Sequence, residues 1–180
     1  MIPILLAVAA AVAPALADVY TIVLPANSPM LTYVPNILEN TTAGQWNATY
    51  SDANYRAVDP YAPKGEYCTG TSTYWTTGRD GDDAPGVQYS FTGTNIRFLG
   101  YWGIPGSLYG EGTSSAGSVD LVIDGTTHTS TGGGDGAADN LVVLAEMALN
   151  NTRHEVELVV RSGDVTVVYV EADLDFGDVP

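Results

Sequence analysis

The stretch Val87–Trp102, VQYSFTGTNIRFLGYW, narrows the available folds more than any other part of the chain. Val87, Tyr89 and Phe91 alternate with Gln88, Ser90 and Thr92, the period of a strand that buries one face and wets the other. Thr92–Asn95 then supplies a short glycine-containing connection, and Ile96, Phe98 and Leu99 open a second apolar strand, so the stretch is expected to form a hairpin. A hairpin of this kind cannot hide its apolar face alone and needs further strands to pack against.

The rest of the chain supplies them. Val19–Leu24 is a β-branched run stopped by Pro25, and Met30–Val34 is a shorter one closed by Pro35. From Asn36 to Gly86 the pattern thins into Thr, Asn, Asp, Gly and Pro, yet Trp46, Tyr50, Tyr55, Tyr61, Tyr67, Tyr74 and Trp75 argue for ordered loops and short strands wrapping a core. After the Gly103–Ser118 loop, Val119–Ile123 returns to strand and Asp124-Gly125 makes a turn, with Thr126–Ser130 beyond it. Leu141–Leu149 is expected to be a strand whose composition also allows a short turn of helix at its end, and Asn150–Arg153 a turn. His154–Val160 and Val165–Glu171 are the last two strands, separated by Ser162-Gly163-Asp164. Strands at short spacing with almost no helix signal give an all-β antiparallel sandwich.

Residues 1–17, MIPILLAVAAAVAPALA, form an apolar run ending in a small-x-small pattern, expected to be a cleaved signal peptide of an extracellular protein. The expected organisation is one β-sandwich domain over 18–175 and a tail at 176–180, a domain of ~160 residues that can bury about 70% of its unfolded surface without disulfides. The single cysteine, Cys68, agrees, since it has no partner in its own chain. With six Lys+Arg against 21 Asp+Glu the formal net charge is −15, which opposes electrostatic binding of nucleic acid or anionic lipid. Sequons at Asn40, Asn47 and Asn150 are candidate glycosylation sites in a secreted chain.

The segments Gly86–Gly100, Val119–Gly125, Leu149–Val160 and Val165–Glu171 resemble a module of fungal secreted and single-span membrane proteins. Its pattern is an F-x-G-x-x-I-x-x-x-G hairpin, a V-x-x-D-G strand, an N-x-T-x-H turn and a final strand. Phe91, Gly93, Ile96, Gly100, Asp124, Gly125, Asn151, His154 and Tyr169 stand at the matching positions, and Gly44–Asn47 is similar to that family's Gly-x-Trp-Asn turn. The resemblance implies a galactose-binding-like jelly roll and carbohydrate or cell-surface ligand binding by analogy with the fold. Many members of that family continue into a membrane helix, whereas this sequence stops at Pro180 after its last strand, so a soluble form without a membrane span in the mature chain is expected.

Sugar binding needs flat aromatic faces beside hydrogen-bonding groups. Trp102, next to Gly103 and Pro105, is the expected exposed platform, with Tyr101, Tyr109, Trp75 and Glu111 as companions, whereas Trp46 is expected in the core. Asp80, Asp82 and Asp83 crowd one loop and Asp135 and Asp139 another, hard oxygen donors that suit Ca²⁺, but neither loop has EF-hand spacing, so solvated acidic loops are the favoured reading and Ca²⁺ the alternative; no cofactor is otherwise expected. Only two histidines, His128 and His154, are present, with no G-x-S-x-G elbow, so a serine hydrolase is not expected. The function classes left are a non-catalytic glycan or surface-ligand binder, monomeric or weakly oligomeric; a structural or self-associating wall protein; and a glycoside hydrolase with paired carboxylates, Glu66 and Glu111 being the first to test.

Overall fold

A computed structural model describes residues 19–35, 46–50, 72–81, 83–104, 113–134 and 141–175, with the backbone alone at 47–50, 72 and 73. The described residues form ten strands: β1 Val19–Pro25, β2 Thr32–Val34, β3 Asn47–Tyr50, β4 Ser72–Thr77, β5 Gly86–Ile104, β6 Thr113–Ser114, β7 Gly117–Ile123, β8 Thr126–Gly132, β9 Val142–Ser162 and β10 Asp164–Asp175. Every pairing is antiparallel, in the order β3-β4-β10-β5-β9-β7-β8, with β1 on β10 and β2 and β6 on β5. The fold is the expected all-β antiparallel sandwich.

Its organisation differs from the expected hairpin in one respect. Gly86–Ile104 is a single 19-residue strand, and Thr92–Asn95 is a crease within it. Val87, Tyr89 and Phe91 bury odd-numbered side chains, whereas Ile96 and Phe98 bury even-numbered ones, so the inward face changes phase across the crease. The neighbouring β9 does the same. Gly93 pairs with Thr152 and Asn95 with Ala148, so two steps along β5 match four along β9, and the extra residues lie within Leu149–Asn151. The turn expected at Asn150–Arg153 is therefore a bulge in a continuous strand, and no helical turn follows Leu141–Leu149. A Cβ on Gly93 would strike the Asp173 carbonyl oxygen and approach the Phe91 ring, which explains why the crease has glycine where β10 crosses close by.

The crease lets β5 and β9 belong to both layers. Their first and last portions, respectively, pair with β2 and β7 in one layer; their other portions pair with each other and with β10 in the second. Side chains from both portions enter one core: Val87, Tyr89 and Phe91 meet Val119, Leu121, Ile123, Val156, Leu158 and Val160, and Ile96 and Phe98 meet Val165, Val167, Val170 and Ala172. Trp46 lies in this core as expected, 2% exposed, its indole N–H shared between the Gly86 carbonyl at 3.0 Å and the Val34 carbonyl at 3.2 Å. Tyr33 packs edge-on against it at 4.9 Å and donates its hydroxyl to the Ala26 carbonyl at 2.8 Å. The β7–β8 connection is the expected Asp124-Gly125 turn, both residues at positive φ (50° and 81°), as a two-residue type I′ hairpin requires.

Candidate functional site

In the second layer, β1, β10, β5 and β9 lie side by side, and their register places the outward side chains in rows. One row reads Val23, Glu171, Arg97 and Glu146; the next reads Thr21, Asp173, Asn95 and Ala148. On the other side of the first row stand Tyr169, Leu99 and Val143. Strand neighbours about 4.8 Å apart bring such a row within reach of one guanidinium.

Arg97 is at the centre. Its Nε lies 3.1 Å from Glu171 Oε2 and 3.8 Å from Glu146 Oε1, and a terminal nitrogen lies 3.5 Å from Asp173 Oδ2. The Asn95 amide bridges two of these acids, donating to Glu146 Oε1 at 3.2 Å and to Asp173 Oδ2 at 3.1 Å. Thr21 donates its hydroxyl to Asp173 Oδ1 at 2.5 Å. Three carboxylates thus share one cation, and Glu171 is only 3% exposed. Burial first and the Asp173 charge second push its carboxyl above the usual range, and a guanidinium divided among three acids does not cancel them.

The same face has apolar ground beside the charges. Leu99, Val23 and Leu141 are half-buried around Tyr101, Val168 and Tyr169, and Val143 is 46% exposed. Bulges at Leu144 and Val168 flank β5 here: Phe98 pairs with Ala145 but Leu99 with Val143, and Gly100 pairs with Val167 but Leu99 with Tyr169. The bulged strands turn this patch relative to the charged rows. The outcome is a rigid sheet surface with planar hydrogen-bonding groups on one side and aliphatic surface on the other.

The residues expected from the sequence fare differently. Trp102 corrects the expectation of an exposed platform: it is 5% exposed because it has the even-numbered inward phase of Ile96 and Phe98, and its indole lies where a Cβ on Gly132 would be. Tyr101 points to the outer face but is also 5% exposed, within the small cluster of Val168 and Tyr169. Trp75 is half-buried in β4, on the row Trp75, Thr166, Tyr101, so the register does bring two of the expected aromatics to one face. Asp80 and Asp83 are exposed, and among the described residues no three acidic, histidine or cysteine side chains converge to hold a metal ion. Tyr109, Glu111, Glu66, Cys68, Asp82, Asp135, Asp139 and Asn40 lie outside the described residues. Asn47 is in β3, and Asn150 is exposed in the β9 bulge.

His154 is a structural clasp. Its Nδ1 lies 2.7 Å from Asp124 Oδ2 and its Nε2 2.8 Å from the Asn150 carbonyl oxygen, so both ring nitrogens face acceptors and the ring, when protonated, donates to each. Burial works against that charge, but the Asn150 and Asp124 bonds and the Asp124 charge prevail and raise the pKa. Asp124 Oδ1 also accepts the Glu155 amide at 2.9 Å; that bond, then the His154 bond, hold Asp124 below the usual carboxylate range. The clasp ties the β7–β8 turn to the crease, which accounts for the D-G and N-x-T-x-H elements noted in the sequence. His128, on exposed β8, pairs with Leu121 in the same hairpin and is not one of the clasp's hydrogen-bond partners.

A second surface feature lies on the other layer, an open depression of about 280 Å³ lined by Gln88, Val122, Gly125, Glu155, Val156 and Glu157. Gln88 donates to Glu157 Oε1 at 3.1 Å across the β5–β9 ladder. Its floor is a strand surface without an aromatic side chain.

The acids around Arg97 were not among the expected site residues. Arg97 sits in the most regular part of the chain and offered a signal, a lone cation on the outward phase of a strand otherwise flanked by apolar residues.

No protein-family model matches the chain, and no curated protein matches it. Solved structures do. A two-domain esterase active on acetylated mannans, co-crystallised with mannopentaose, is 10% identical, with 86% of this chain and 36% of that chain covered at a TM-score of 0.46. A Podospora anserina GH26-CBM35 β-(1,4)-mannanase is 14% identical over 89% of this chain and 28% of its own length, at 0.39. TmCBM61 in complex with β-1,4-galactotriose is 12% identical over 72% and 88%, at 0.34. The chain spans about a third of the length of the esterase and less of the mannanase.

Proposed function

We propose that the chain is a secreted, non-catalytic β-sandwich module that binds a neutral, hydroxyl-rich carbohydrate on the outer face around Arg97. One observation carries this reading: Arg97, Glu146, Asp173 and Asn95 are fixed by mutual contacts on adjoining strands and are partly open to solvent, directly beside Leu99 and the exposed Val143. Planar polar groups locked in place can pair with sugar hydroxyls, and aliphatic surface can cover sugar C–H faces. An excess of carboxylates over one guanidinium favours neutral sugars over acidic ones. Glu171, whose raised pKa is what an acid catalyst needs, is buried beneath Arg97, which supports binding over hydrolysis.

Screening the purified protein on a neutral-glycan array, followed by titration calorimetry with Glu146→Ala and Val143→Ser, tests the proposal. Binding should weaken by about tenfold in each variant with the melting temperature nearly unchanged, since both side chains are exposed. Absence of any glycan ligand, or wild-type affinity in both variants, refutes it. A second reading, self-association, has the exposed Val19 and Tyr20 of edge strand β1 in its favour. Light scattering that gives a concentration-dependent mass would support it.

A further inference from the structure

The β9 bulge offers a different kind of site. Asn150, Asn151, Thr152 and Arg153 are four consecutive exposed residues inside the longest strand of the fold. The sequon Asn150-Asn151-Thr152 occupies the extra residues of β9, where Ala148 and Thr152 keep partners on β5 and those between them are excess. On its other side β9 pairs with β7 only from Val156 onward.

The two asparagines are used differently. Asn151 donates its amide to the Asp175 carbonyl at 2.7 Å, and the Asn150 carbonyl accepts from His154, but the Asn150 side-chain amide has no hydrogen bond among the described residues. The sequon rule selects Asn150, since Asn151-Thr152-Arg153 is not a sequon. The side chain that the rule selects is the one the fold leaves unengaged.

We propose that Asn150 carries an N-linked oligosaccharide. The donor is an oligosaccharide on a polyisoprenyl diphosphate. The Asn150 Nδ2 forms a bond to the anomeric carbon, the bond from that carbon to the diphosphate oxygen breaks, the lipid diphosphate leaves, and one amide proton passes to a base of the transferase. The folded chain then accommodates the sugar without loss of a contact, because the clasp to His154 uses the Asn150 main chain. This inference stands apart from the carbohydrate-binding reading and requires only that the chain enters a secretory route, as its apolar leader predicts.

Expression of the full chain in a eukaryotic secretory host, with the product treated with peptide N-glycosidase in oxygen-18 water, tests it. The peptide spanning Asn150 should emerge with labelled Asp at that position. Asn150→Gln and Thr152→Ala should each lose one glycan of mass, whereas Asn151→Gln and Thr152→Ser should retain it, and Asn150→Gln should melt within about 2 °C of the deglycosylated wild type. An unmodified Asn150 peptide, in the secreted product or in a chain that is never exported, overturns the proposal.

Discussion

Replacing Arg97 by Met should destabilise the protein in a way that depends on pH. Methionine keeps most of the aliphatic stem, so packing changes little, but Glu171, at 3% exposure, loses the nearest cation. Removing one partner of a buried pair costs about 3–5 kcal/mol when the other stays charged. Here the guanidinium side chain is 30% exposed and water screens part of the pair, so about 2–3 kcal/mol at pH 7.5 is expected. For a domain of this size that corresponds to a fall of about 5–10 °C in melting temperature. A carboxyl whose folded pKa is raised binds its proton more tightly when folded, so stability falls as pH rises from the unfolded value, about 4.3, through the folded one. In Arg97→Met that pKa moves higher still, so the loss should be small at pH 4.5 and full at pH 7.5. Urea denaturation at both pH values, with Glu171→Gln and the double variant completing a cycle, measures it. Equal destabilisation at the two pH values, or no recovery when Glu171→Gln is added to Arg97→Met, would refute the reasoning.

Trp102→Ala should cost about 3–5 kcal/mol, the range for truncating a buried aromatic, with glycan binding by the folded fraction unaltered; a variant as stable as wild type would return Trp102 to the surface. Gly93→Ala should destabilise by about 1–3 kcal/mol or more, because the added methyl meets the Asp173 main-chain oxygen; an unchanged urea midpoint would contradict the close crossing at the crease. The His154 clasp, with its raised pKa, should contribute about 1 kcal/mol below the ordinary imidazole value near 6.5 and lose it as pH rises through the folded value. Subtracting the pH profile of His154→Gln from that of wild type should isolate this loss, and a flat difference would show that folding leaves the imidazole pKa unshifted.

Strand content was legible because Val87–Phe91, His154–Val160 and Val165–Glu171 alternate or run apolar in a manner no helix shares. The crease was not, since a phase change in one strand has the same signature whether the chain reverses there or bends. The partner strand resolves it. Ala145 and Met147 face inward before the bulge and His154, Val156 and Leu158 after it, and two stretches changing phase in step are one creased pair. Trp102 was misplaced for want of parity, because counting from Ile96 and Phe98 puts it inward. The Arg97 group lay beyond sequence reasoning: Glu146, Glu171 and Asp173 come from distant segments, and a one-residue slip in either ladder would turn its acids to the other face.

The crease also orders events in time. Along the β5–β9 ladder the partners nearest in sequence are Gly100 and Val142, and the most remote are Gly86 and Val159. Closing the shorter loop first saves only about half a kcal/mol of chain entropy, but every later pair then closes by zipping along a neighbour already in place. The second layer should therefore assemble before the first, and the zipper must pass Gly93 and the β9 bulge to continue. A chain halted there would hold one finished layer with its apolar face uncovered, so the crease is where folding and aggregation compete.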